Sequence, residues 1–118
     1  MNDPIVFLLL IHFLADFALQ TNDQAVNKSS SNLFLFYHVA SYSAIWTVAM
    51  IPFLHNYLFL VFGGVTFVCH FITDFFTSRL VKKFFDKKDF HNGFVTIGFD
   101  QLLHYLQLYY TFKFLVDK

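Results

Sequence analysis

Glutamate is absent from this chain of 118 residues, and charge of either sign is scarce. All eight acids are Asp, eight Lys and Arg balance them, and charged residues make up only 14% of the sequence. A soluble domain carries about a quarter charged residues, and one this small must leave much of its surface in water. An ordinary soluble fold is therefore excluded, because 57% of the residues are apolar and 19 of them are Phe. The balanced charge gives no basic field, so no nucleic-acid partner is expected. A single cysteine, Cys69, rules out an internal disulfide and is read as a packing residue. The start lacks the basic flank of a secretory signal, and the apolar run from Ile5 continues without a clear cleavage site, so it is read as mature structure. No repeat, linker or low-complexity tract divides the chain, and residues 1–118 are expected to form a single domain.

What the sequence does have is four apolar stretches, at residues 4–20, 32–54, 57–80 and 94–116. Each is near the ~20 residues that cross a ~30 Å hydrocarbon layer. The expected fold is all-α: a polytopic membrane protein with four transmembrane helices in an up-down-up-down bundle. Two connections, 21–31 and 82–93, are long enough to be hydrophilic loops, and both fall on the same side. That side carries Lys28, Arg79, Lys82, Lys83, Lys87 and Lys88, whereas Lys113 and Lys118 lie opposite. The positive-inside rule then puts both loops in the cytoplasm and both termini outside. Gly63, Gly64 and Gly98 are read as points of close helix approach.

Polar residues at membrane depth carry the functional argument. Asp16, Asp74 and Asp100 each have a histidine four positions away, in the pairs His12/Asp16, His70/Asp74 and Asp100/His104. That spacing puts both members on one helix face. Gln20 extends the first stripe, Gln101 borders the last, and the second helix adds His38. Counted at ~1.5 Å per residue from the basic ends, these groups lie between ~6 and ~21 Å deep, in one broad layer. An ionised Asp at a helix centre costs about 2.5 to 3.5 kcal/mol, so three unpaired would consume most of a domain's ~5 to 15 kcal/mol of stability. With no Lys or Arg deep within a span, the counter-charge is expected to be imidazolium, a proton or a bound cation. A divalent metal suits imidazole and carboxylate ligands, zinc first, with manganese or iron compatible. The absence of Glu argues against a ferritin-like di-iron centre, which uses Glu-x-x-His. Carboxylates beside each histidine argue against a bis-His heme.

The segments His12-x-x-x-Asp16-Phe-x-x-Gln20, Asn27-Lys28-Ser, His38, His70-x-x-x-Asp74 and Asp100-Gln101-x-x-His104 resemble a family of small bacterial and phage integral membrane proteins classified as a domain of unknown function. The resemblance covers nearly the whole chain. It implies a multi-helix protein of a bacterial or phage-infected host inner membrane whose polar motifs matter, and it supplies no activity.

From the residues themselves the expected function is a metal-dependent hydrolase acting on a membrane lipid or lipid-linked substrate. His12, His70 and His104 would hold the metal with Asp74 or Asp16, and His38 would either join them or be a core histidine. Asp100 would take the proton from the attacking water, and Gln20 and Gln101 would position substrate. No triad surrounds the neighbouring Ser and Thr residues, so a covalent serine mechanism is not expected. Two non-enzymatic alternatives stay open. One is a proton- or metal-ion transporter or channel, for which so small a chain would form a homo-oligomer. The other is a membrane scaffold that binds no metal.

Overall fold

A computed structural model describes residues 3–18 and 20–118. It is all-helical, with no strand among the described residues. Helix α1 (Ile5–Phe13) runs directly into a π-helical turn (Leu14–Ala18), followed by α2 (Asn22–Asn27), α3 (Asn32–Met50), α4 (Leu58–Asp86) and α5 (Phe90–Val116). Two of these, α3 and α4, are long and apolar enough to cross a membrane.

Local chemistry accounts for the differences from the expected boundaries. The connection expected as a loop at 21–31 contains α2, which is started by a capping box. The Thr21 side chain accepts from the Gln24 N–H at 3.1 Å, and the Gln24 side chain accepts from the Thr21 N–H at 3.3 Å. Helix α3 begins at a Ser31 cap and stops at Met50 rather than Leu54, because Pro52 has no N–H with which to continue the ladder. Helix α4 continues past Leu80 to Asp86, where Lys82 and Asp86 pair one turn apart at 2.9 Å. Helix α5 starts at Phe90, since Asp89 accepts from the Asn92 N–H at 3.3 Å. The reversal between α4 and α5 is therefore only three residues long, with Lys88 at φ 60.

Side-chain contacts fix the relative directions. His12 meets Tyr42 and Asp16 meets His38, so α1 and α3 run antiparallel. His38 meets His70 and Trp46 meets Phe62, which makes α3 and α4 antiparallel. Thr77 meets Asp100 and Thr66 meets Gln107, which does the same for α4 and α5. Helix α5 closes the circuit by packing Gln101 and Tyr105 on His12.

Burial is inverted relative to a water-soluble bundle. Val6, Val48, Phe76, Phe94 and Phe114, from all four long helical segments, are each about two-thirds exposed. Inside, His12, Asp16, His38, His70, Asp74, Asp100 and His104 are all buried. They occupy the end of the bundle near α2. The other end is filled by an apolar core that includes Trp46, Met50, Leu54, Phe62, Leu108 and Phe112.

The glycines separate into two kinds. A Cβ on Gly63 would stand 1.8 Å from Thr47 Oγ1 and 3.1 Å from its Cβ, so α3 and α4 approach closely there. Gly64 and Gly98 have nothing within 4 Å, and the close approach expected at these two does not occur. Gly63→Ala should therefore destabilise by about 1 to 3 kcal/mol through overpacking, while Gly64→Ala is neutral or slightly stabilising through helix propensity. Thermal unfolding of the two variants in detergent tests the contrast, and equal midpoints would refute it.

Candidate metal centre

Each long helical segment delivers part of the cluster from one face. Within α4 and α5 the four-residue spacing stacks His70 over Asp74 and Asp100 beside His104. At the end of α1 the chain widens into the π-helical turn, which contains Asp16. Such turns are rare and recur at functional sites because they re-aim a side chain. Asp16 Oδ1 lies 2.9 Å from His38 Nε2 and 3.8 Å from His70 Nε2, while its Oδ2 lies 3.5 Å from His12 Nε2. His38 and His70 bring their Nε2 atoms within 3.2 Å of each other. Asp74 Oδ2 stands 3.7 Å and 3.9 Å from the same two nitrogens. The His70 ring is sandwiched, with Tyr42 stacked at 4.0 Å and His104 at 4.1 Å between centroids.

Three groups of donor atoms have metal-ligand spacing, each with all its atoms within 4.8 Å of one another. They are Asp16/His38/His70, His70/Asp74/His104 and Asp16/Asp100/His104. Any two groups share one residue, so the three form one linked cluster. The polar partners of these atoms are other members of the cluster and Lys28: Asp16 Oδ1 faces His38, Asp74 Oδ2 faces Lys28 at 3.4 Å, and His104 Nε2 faces Asp100 at 3.1 Å. The donor set is a mixed nitrogen and oxygen one that suits zinc, manganese or iron.

The expected site residues take distinct places. Asp16, His38, His70, Asp74 and His104 all belong to these groups, and His38 stands with the other donors. Asp100 joins the third group and lies 2.5 Å from the Thr77 hydroxyl and 3.1 Å from His104 Nε2. His12 enters the cluster but belongs to none of the groups. Its Nδ1 is 2.8 Å from the Tyr42 hydroxyl, and its Nε2 is 2.6 Å from Gln101 Oε1. Gln101 is likewise committed to protein groups, since its Nε2 also donates to Asp100 Oδ2 at 3.0 Å. Gln20 follows the π-helical turn and keeps a buried, unpartnered Oε1.

Two members of the site were missed in the sequence. Tyr42 lies one turn beyond His38, on the same face, and that spacing was its only signal. Lys28 corrects the expectation that no basic side chain reaches the acids. From the end of α2 it extends into the bundle and places Nζ 3.4 Å from Asp74 Oδ2, with a fifth of its side chain exposed. Burial alone would pull its ammonium down, but Asp74, Asp16 and Asp100 outweigh burial and hold its pKa above the ordinary lysine range. Lys28 and Ser29 line an open cavity of about 480 Å³ beside Asp16, Asp74 and Asp100.

Fold and site together define an all-helical protein with an apolar exterior and a buried histidine and aspartate centre. The chain belongs to the family described as protein of unknown function DUF3307, whose model matches residues 5–117. No curated protein and no solved structure matches it.

Proposed function

We propose that this is an integral membrane protein whose four long helical segments cross the bilayer up-down-up-down, with a divalent metal ion held by the histidine and aspartate cluster. The reading extends to hydrolysis of a lipid or lipid-linked substrate. The exposed apolar side chains on every long segment support the membrane setting, and so does a long dimension of 47 Å, close to the ~40–45 Å of a bilayer with its headgroups. The basic residues around α2 and the α4–α5 turn favour that end as the cytoplasmic one.

One observation carries the metal. Three buried carboxylates, Asp16, Asp74 and Asp100, face a single ammonium, that of Lys28. With neutral imidazoles this leaves two negative charges uncompensated in a low-dielectric interior, the charge of one divalent cation. His38, His70 and His104 with Asp16 and Asp74 would hold the ion, zinc being the first candidate. Bound there, it would supply Lewis acidity toward the substrate. The chain's own residues divide the remaining work. Asp100, at the cavity wall with His104 at 3.1 Å, would take a proton from the attacking water and pass it on. Gln101 and Tyr42 fix the orientation of His12, and the apolar core beyond the cluster keeps bulk water to one end.

Metal content tests the reading. Protein purified in detergent with zinc supplementation should retain about one ion per chain, and Asp16→Asn, which removes a donor from two of the groups, should retain less than about a tenth of that. Release of product from a panel of short-chain lipid esters should stop on chelation and return with zinc. Wild type and Asp16→Asn equally free of metal would refute the centre, and a loaded protein inert toward every ester would refute the hydrolase.

A further inference from the structure

The cavity beside the cluster has a composition that metal binding alone does not explain. Its volume is in the range of small-molecule sites. Asp16, Asp74 and Asp100 line it, and Lys28 reaches in from α2 to within 3.4 Å of Asp74. Phe17, Val81 and Ile97 add apolar surface, and the paired Lys82 and Asp86 also line it. Ser78 also lines it, and its hydroxyl is buried without a partner.

An ion held by Asp74 would compete for the same Oδ2 that Lys28 contacts at 3.4 Å. Lys28 would then stand as an unpaired ammonium at the edge of a site already carrying a divalent cation. Released from Asp74, the Lys28 ammonium would need an acceptor of its own at the cavity mouth. Phosphate is the anion that fits, because its several oxygens can meet a metal, an ammonium and the Ser78 hydroxyl at once, and lysine is a standard phosphate contact. The apolar wall next to these groups suits the start of an acyl chain. We infer that the cavity receives the phosphate group of its substrate, with Lys28 and Ser78 as the anion contacts, which rests on the metal reading above.

The test uses zinc-loaded protein in detergent, titrated with inorganic phosphate, with dioctanoyl phosphatidic acid and with dioctanoylglycerol. Phosphate-bearing ligands should bind and the neutral lipid should not. Phosphatidic acid binding more tightly than inorganic phosphate identifies a lipid headgroup as the source, and equal binding identifies free phosphate. Lys28→Ala should weaken phosphate binding at least about tenfold, the loss of one charge-assisted contact, with zinc content unchanged. Lys28→Arg should recover part of the loss. Ser78→Ala should weaken binding about threefold to tenfold, and it decides the matter if Lys28→Ala does not fold. Equal phosphate affinity in wild type and both alanine variants at full zinc occupancy would overturn the anion site while leaving the metal centre intact. Failure of wild type to retain zinc would overturn both, and binding of dioctanoylglycerol as tight as that of phosphatidic acid would overturn the phosphate assignment alone.

Discussion

Zinc affinity should fall at least about 100-fold when His70 is replaced by alanine. Residues that merely orient a ligand contribute about 10- to 100-fold to metal affinity, and His70 is placed to do more than orient. It belongs to two of the three donor groups, its Nε2 lies 3.2 Å from that of His38, and its ring is held between Tyr42 and His104. Alanine removes a donor and also opens a gap that lets both neighbouring rings move. Competition with a chromophoric chelator would measure the change, with His55→Ala as control because His55 is exposed outside the cluster. Loss of metal protection against thermal unfolding should accompany it. Unchanged affinity in His70→Ala would show that the donors point toward one another for structural reasons only.

Stability without metal should depend on Lys28 to a comparable degree. Lys28→Ala leaves Asp74 buried without its cation, and breaking a buried ion pair costs about 3 to 5 kcal/mol. The lower end, about 3 kcal/mol, is expected because a fifth of the lysine side chain remains exposed to screening. Zinc should erase most of the deficit, since the ion replaces the missing positive charge. Thermal unfolding in detergent with chelator and with zinc, for wild type and Lys28→Ala, measures both effects. The pH dependence follows from the raised lysine pKa. A cation whose pKa is higher folded than unfolded stabilises fully below its ordinary value near 10.4 and loses that contribution as pH rises through the folded value. Wild type without metal should therefore lose its advantage over Lys28→Ala in strongly alkaline buffer. A deficit that zinc leaves untouched would mean that Lys28 supports packing and not charge balance.

Much of the centre was visible in the order of residues. A histidine and an aspartate four apart must share a helix face, so the pairs in α4 and α5 needed no tertiary information to be placed together. The convergence of Asp16, His38, His70, Asp74 and His104 followed from the cost of exposing such groups to an apolar surrounding. The expected apolar stretches likewise became helices, with ends shifted by caps and by Pro52. What sequence reading missed depends on rotation and reach. Whether His12 turns its Nε2 to a metal or to Gln101 depends on a few tens of degrees of helix rotation, which spacing does not specify. Lys28 lies in a connection that reads as solvated, and only the path of α2 over the bundle end directs it inward. The Thr21 to Gln24 capping box was the available sign that this connection is ordered. The π-helical turn at Leu14–Ala18 has no comparable signature, because π geometry is imposed by neighbours and not by propensity.

The distribution of polar groups along α5 bears on how such a chain is assembled. Unlike α3 and α4, this helix is not among those apolar enough to cross a membrane unaided, and it carries Asp100, Gln101, His104 and Gln107 on its length. Because it follows α1, α3 and α4, it emerges from the ribosome after these partners are already made. On the four-span reading proposed above, its place in lipid would depend on Thr77, Thr66, His12 and Asp16 being in position to receive it. On that reading, insertion of α5 and completion of the interior become a single event, and a nascent chain halted before residue 100 would hold half-built polar faces.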